Sequence, residues 1–527
     1  MRHTPTPSFV TEIPLRVDSA AARTLGVRFD CARMVYNACL GEALRRLDLM
    51  RQSKVYQRAR ALPKQSKEQQ KARAAAFTAA DVAHGFREYD LHAWAARFTH
   101  SWLGPHLDAN TIQTLASRAF RATAQHAFGK RGKPRFKGPH QLDSLEGKSN
   151  KQGLRWVADR LVWKDLQVPG IIDRRDPVIA HGLRSRVKYV RLVRRKLNGV
   201  PRYYAQLVCE GVPYRKPANC VGDGVIGCDP GPRVFTFTGA GWAVRVDLTN
   251  KADQRAIRQL QRAVDRRRRA NNPANYLPDG RIKPGRHAWK ISARQKRAER
   301  QRAEIQRKAA ATRTTRHGRL VNKLLRRGNV IQVERNSYKS FQRNFGRSVG
   351  HAAPGGFVRL LERKAASAGA QVHRLPTTLR LSQVCHGCGE INKKVLSLRV
   401  HQCACGVGPV QRDIYSAFLA QCATAIEGLD GPEWHLDAAR AAIVWAGMEL
   451  CLSAASGLLA VEEFTASQPA NVSSPGEARL LAQASGIERV ADAGAPPGRE
   501  APDAVRQRKR DGEPGKAQRP VPGTPRA

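Results

Sequence analysis

The sequence predicts a multidomain α/β protein, and three observations carry that prediction. Apolar and basic residues alternate at period two through residues 154–212, in LRWVADRLVWK, VKYVRLVRRK and RYYAQLVCEG, the pattern of antiparallel strands with one face in a core and one face basic. From Val225 the order is three short strands, helices, a strand, a helix, a strand and a last helix. Between the last strand and the last helix sit two cysteine pairs, Cys385/Cys388 and Cys403/Cys405.

Length and composition bound the reading. The 527 residues are 41% apolar, enough for two to four domains with real cores. Ninety-two Lys and Arg stand against 43 Asp and Glu, a net charge of +49. A surplus of that size repels itself unless a polyanion neutralises it, so nucleic acid is the expected partner, with an anionic membrane as the alternative. No N-terminal apolar run suggests a signal peptide. The stretch from Leu436 to Leu459 is interrupted by Asp437, Arg440 and Glu449 and is expected to be a buried or partner-facing helix, not a membrane span. Eleven cysteines in so long a chain do not form a disulfide framework, and seven of them are scattered among apolar residues. A reducing cytoplasm is expected.

In chain order, SFVTEIPLRV at 8–17 reads as a strand, and a helical pattern runs from about Ala20 to Leu49. Residues 53–125 are basic, Ala-rich and helical, broken near Gly104-Pro105. GKRGKPRFKG, from Gly129 to Gly138, has no period. Its Lys133, Arg135 and Lys137 around Phe136 suit phosphate contacts with one stacking ring. NGVPR at 198–202 is a hairpin-like turn, and the N-terminal strand is expected to join this sheet with the helices inserted into it.

The strands Val225–Asp229, Val234–Thr238 and Trp242–Leu248 follow, with a turn at Gly239–Gly241. Residues 251–327 hold 25 Lys and Arg against 5 Asp and Glu, and Asn271–Gly285 breaks them into two helices. That excess exceeds what solubility needs, so a phosphate-tracking helix pair is expected, with Arg266, Arg267, Arg268 and Arg269 as contacts. NVIQVE is a buried strand ending in Glu334. Phe341–Gly356 is glycine-bearing and aperiodic, so a loop is expected there. A helix at Phe357–Ala368 and a strand at Gln371–Leu375 precede the cysteines. From Thr465 the chain is rich in Pro, Gly, Ala, Ser and charge, and disorder is expected to Ala527.

This order is that of an RNase H-like fold, which places acids on its first strand, at the end of its fourth strand and on a late helix. Asp229, Glu334 and Asp413 occupy those points. Converging carboxylates call for cations, and hard oxygen ligands suit Mg²⁺ or Mn²⁺. Two such ions about 3.5–4 Å apart activate water and stabilise the leaving oxygen in phosphodiester hydrolysis. Arg412, beside Asp413, is a further candidate nucleic-acid contact. The spacing C-x₂-C-x₁₄-C-x-C is a zinc-ribbon signal. Four thiolates close the Zn²⁺ tetrahedron, so that site is structural.

GCDPG, VIQVE, FVRLLERKAASAGAQV, LSQVCHGCG, CACG and QRDIYSAF occur in one order. On these motifs, residues 225–421 resemble TnpB, the transposon-encoded RNA-guided nuclease, and the related compact type V CRISPR effectors. YNACL and KPRFKG are similar to landmarks of the same family. The resemblance implies a RuvC domain over 221–384 and 407–463, with Asp229, Glu334 and Asp413 as metal ligands. It implies a zinc ribbon at 385–406, and a β-barrel wedge domain at 1–19 and 141–220 carrying a helical recognition insertion at 20–140. Residues 464–527 would be a tail. A guide RNA would select double-stranded target DNA, and 341–356 would form a lid. Alternatives are a guided DNA-binding protein that does not cut and an unguided RNase H-like transposase. Two departures stand out: Gln411 where relatives carry Asp, and Tyr415 where they carry Asn.

Overall fold

A computed structural model describes residues 6–248, 251–395, 398–428 and 431–453, so the expected tail at 464–527 lies outside the described residues. The first half opens with β1 (Ser8–Pro14), followed by helices α1 (Ser19–Gln52), α2 (Lys54–Ala61), α3 (Lys67–Ala83), α4 (Glu88–Ala95) and α5 (Ala109–Ala127). Short polar side chains start most of them: Asp18, Ser53, Ser66 and Asp108 each accept an amide of the first turn, satisfying donors that the helix leaves open. Then come β2 (Ser144–Glu146), β3 (Arg155–Val157), β4 (Arg160–Trp163), β5 (Leu166–Pro169), α6 (Pro177–Arg184), β6 (Val187–Leu197) and β7 (Val200–Glu210).

β1 pairs with β7 in a sheet of order β1-β7-β6-β2, so the helices are inserted into this sheet as expected. Asn198 and Gly199, both at positive φ (54° and 84°), make the two-residue turn between β6 and β7. β3, β4 and β5 form a second sheet, joined to the first by the Leu15–Gly170 bridge. The expected barrel is not closed among the described residues. β1 and β2 remain edges, and strands of three or four residues such as β2 to β5 are too short to wrap one sheet round on itself. Helices and sheets nonetheless share one core, in which Ile13, Phe29, Leu40, Leu115, Trp163 and Leu207 are all buried.

The second half begins with β8 (Val225–Pro230), β9 (Val234–Gly239) and β10 (Trp242–Asp247), then α7 (Lys251–Asn271) and α8 (Ala293–Leu325). β11 (Val330–Glu334), α9 (Tyr338–Ala352), α10 (Pro354–Ala368) and β12 (Gln371–Leu375) complete the sheet, whose order is β10-β9-β8-β11-β12. The first three strands are antiparallel, and β11 runs parallel to both β8 and β12. α8 and α10 cover one face, packing Leu320, Leu324, Phe357 and Leu361 on Ile226, Phe235 and Ile331. β13 (Val400–His401), β14 (Val410–Gln411) and α11 (Arg412–Gln421) follow, and α11 packs on the other face.

Two expectations need correction. Residues 341–356 are not a loop. They belong mostly to α9, which Ser337 caps and which is kinked at Phe345 (φ −129°, ψ 29°). Val349 and Ala352 are buried, and that packing outweighs the glycines. Beyond α11 the sequence reading missed a hairpin of β15 (Ala423–Gly428) and β16 (Gly431–Leu436), which precedes α12 (Ala438–Ser453). Among the described residues no helix is long and apolar enough to cross a membrane.

Candidate active site and metal centre

Strand register brings the acids together. Asp229 pairs across with Thr236 on β9, and Thr236 with Arg245 on β10. On the other side Val333 of β11 pairs with Cys228, so Glu334 comes next to Asp229 one step along. Arg245, Thr236, Asp229 and Glu334 therefore form one row across four strands. Side chains along a strand alternate between faces, so neighbours in a row share a face. That face is the one α11 covers.

Gly227 sets the seat of the helix. A Cβ on Gly227 would lie 1.8 Å from the Ala417 carbonyl oxygen and 2.7 Å from the Gln421 amide. No other residue lets α11 come this close. With Ala417 on Gly227, Asp413 lies one turn earlier, over the strand end that carries Asp229.

The carboxylates sense one another. Burial pushes the Asp229 carboxyl well above the ordinary range, the charges of Glu334 and Asp413 add to this, and Arg412 opposes it. Glu334 is raised by burial and by Asp413, against hydrogen bonds with Asp229 and with Asn336, whose Nδ2 lies 3.3 Å from Oε2. Two ionised carboxylates in contact repel, which adds to the upward push that burial gives Asp229. Asp413 faces Arg245 at 3.7 Å and Arg399 at 3.9 Å. Gln411 caps α11 by accepting the Ile414 amide at 2.9 Å, and its Nε2 donates to Asp413 Oδ2 at 3.0 Å. Thr236 is buried, and its hydroxyl has no partner among the described residues. Such an arrangement of oxygens is suited to a hard divalent cation.

Asn336, Thr236, Arg245 and Arg399 escaped the sequence reading. The one signal available was Arg245, a charge between Val244 and Val246.

The four cysteines are drawn tighter. Their sulfurs all lie within 4.8 Å of one another, and among the described residues they are the one group of three or more metal-ligating side chains so close; the three carboxylates are spread more widely. Cys385 and Cys405, and Cys388 and Cys403, are each 3.5 Å apart at sulfur. Thiolates bound tetrahedrally at about 2.3 Å lie about 3.8 Å from one another, so the set fits one metal ion. Each knuckle ends in a glycine at positive φ, Gly389 (74°) and Gly406 (95°). The shortened second pair therefore still turns as the first does. Burial works against ionisation of Cys385, but the amides of Cys388 and Gly387 and the neighbouring thiols pull its pKa down to about 7. The downward pull is on Cys385: Cys388 and Cys403 are shifted upward.

Tyr415 joins the cysteine segment to α11. Its hydroxyl accepts the His386 amide at 3.0 Å and meets His386 Nδ1 at 2.9 Å. His401 stacks on its ring at 3.8 Å and 16°. Two residues are about 200° round a helix, so Tyr415 points away from the Asp413 side. The departure at this position thus serves the ribbon contact. β13 and β14 add a second tie, pairing Val400 with Gln411.

The basic candidates divide. Lys133 and Arg135 are exposed; Lys137 is half-buried, with its backbone held by Asn37 at 2.8 and 2.9 Å. Arg266 is exposed. Arg268 lies over the Trp289 ring at 3.9 Å, Arg269 over Tyr276 at 5.7 Å, and Arg267 donates to the Arg294 carbonyl at 3.2 Å. Arg267 thus ties α7 to α8, while Arg268 and the exposed Arg269 pack on the segment between the two helices. Arg412 donates to the Val395 carbonyl at 3.2 Å.

A family model described as the Cas12f1-like TNB domain matches residues 355–419. That segment holds α10, β12, all four cysteines and Asp413, and over it the resemblance to compact type V effectors and TnpB stands. Two solved structures are similar to the chain. One is a chain of a Cas12f1–sgRNA–target DNA complex, 9% identical, with a TM-score of 0.37, covering 78% of this chain and 98% of that one. The other belongs to a CRISPR-Cas12f ternary complex, 12% identical, with a TM-score of 0.26, covering 77% and 85%. No curated protein matches.

Proposed function

We propose that this protein is an RNA-guided DNA endonuclease of the TnpB and compact type V kind, cutting at a single metal-dependent site. The observation that carries the reading is the row of Asp229 and Glu334 with Asp413 held over it. The strand order, with three antiparallel strands and two parallel ones beside the first, supports an RNase H-like, RuvC-type core. The family match at 355–419 supports the same reading. Asp229, Glu334 and Asp413 would hold Mg²⁺ or Mn²⁺, which activates water for attack on the phosphodiester. Cys385, Cys388, Cys403 and Cys405 would hold one Zn²⁺ and keep the ribbon folded. Guide RNA and double-stranded DNA are the partners. The net charge of +49 fits both, and base pairing supplies the sequence choice.

The test is to purify the protein from its native locus, sequence any bound RNA, and add matching DNA with Mg²⁺. Guide-dependent cuts that vanish in Asp229→Ala and Glu334→Ala are expected. Cutting that survives either substitution removes the site assignment, and recovery of no discrete RNA removes the guided reading. One observation favours a second reading, guided binding without cutting. Asp413 is occupied by Gln411, Arg245 and Arg399, all of which compete with a cation. Tight guide-dependent binding with intact DNA would select it.

A further inference from the structure

A cleft of about 390 Å³ opens past the ends of β11 and β12, and its lining includes Arg335, Arg374, Thr378, Glu433 and Trp434. Arg335 directly follows Glu334, and its amide donates to the Leu375 carbonyl at 3.2 Å. The cleft therefore lies at the end of the strand that carries Glu334. Its outer wall is the β15–β16 hairpin, which lies beyond the family-matched segment.

The wall is built for a flat ring and an anion together. Trp434 is half-buried, and His373 supports its ring at 5.2 Å between centroids. Arg374 is held by Glu362 at 2.5 Å. Arg335 is exposed and makes no ion pair with the described residues. Indole faces take bases by stacking, and guanidinium groups take phosphates. The Thr378 hydroxyl and Glu433 carboxylate add groups that bond base edges. The volume lies at the small end of ligand cavities, which run roughly 300–1,000 Å³. It is large enough for one splayed nucleotide.

We propose that this cleft is a subsite for one unpaired nucleotide of a DNA strand, its base on Trp434 and its phosphate on Arg335. It rests on the carboxylate reading only for direction, since the strand would run from this cleft onto Glu334 and Asp229.

The test uses the purified full-length protein in Ca²⁺ without Mg²⁺, so nothing is cut. Single-stranded DNA carrying 5-iodouracil at each position in turn is irradiated, and adducts are mapped by mass spectrometry. One position should label the peptide that contains Trp434. The yield should persist in Trp434→Phe, which keeps a ring, and fall roughly tenfold in Arg335→Ala. Adducts confined to other peptides, or an unchanged yield in Arg335→Ala, would overturn the subsite. Equal labelling by an RNA strand or by free 5-iodo-dUMP would also overturn it. Melting curves confirm that both variants fold. Because the assay needs neither guide nor cleavage, failure of the nuclease reading leaves the crosslink in place. A missing crosslink in a protein that cuts removes the subsite alone.

Discussion

Gly227 decides how the candidate site is assembled, because it has no atom where α11 sits. Gly227→Ala should cost about 1–3 kcal/mol by overpacking and abolish any cleavage by shifting Asp413. Thermal melts and cutting assays check the two effects separately. His317 sets an acid limit. It is buried against Phe235 and Phe357, and burial lowers its pKa from 6.5 to about 4. The neutral form is the one that folds, so its stabilisation is complete above pH 6.5 and is lost as pH falls toward 4. His317→Gln should flatten the fall in stability across that window, as denaturant titrations at stepped pH will show. Both residues were plain letters in the sequence: nothing near Gly227 or His317 announces what will be packed on it.

At the scale of elements, the cysteine segment and α11 behave as one piece. Tyr415 receives His386 from one knuckle and stacks on His401 from the strand before the other. Removing zinc should therefore loosen α11 as well as the ribbon. Hydrogen exchange across 381–421 should rise after chelation, and rapid exchange confined to 381–409 would show that the two are uncoupled. Tyr415→Phe, which loses the His386 bonds, should cost about 1 kcal/mol. Tyr415→Ala, which empties the cluster, should cost about 3–5 kcal/mol, both read by melting with zinc content held at one ion per chain. The cysteine spacing was legible because a metal needs its ligands close along a short chain segment. The tie through Tyr415 was not, since position 415 read only as a substitution for Asn.

At the scale of the molecule, the charge of +49 makes association with nucleic acid strongly salt-dependent. Replacing an exposed contact such as Arg266, Lys133 or Arg135 with Ala should reduce the slope of log K against log salt by about one and leave stability unchanged. Arg268→Ala should instead lower the melting temperature, because it uncovers Trp289. Binding titrations at several salt concentrations, paired with melts, separate the two groups. A slope unaltered in all of them would place the nucleic acid elsewhere.

The sequence alone determined the order of the five sheet strands from Val225 to Leu375, though not α9, together with the clustering of the four cysteines and the insertion of helices into the first sheet; it also singled out Asp229, Glu334 and Asp413 as candidates. Those are properties of neighbours along the chain: hydrophobic period, turn residues and ligand spacing. Register and close packing decided the rest. They put Thr236 and Arg245 in the row of Asp229, seated α11 on Gly227, left the first-half sheets unclosed, and turned three of four consecutive arginines to structural use. Each of these depends on which distant segment arrives opposite a residue, and a one-residue change of register would turn the same side chains to the other face.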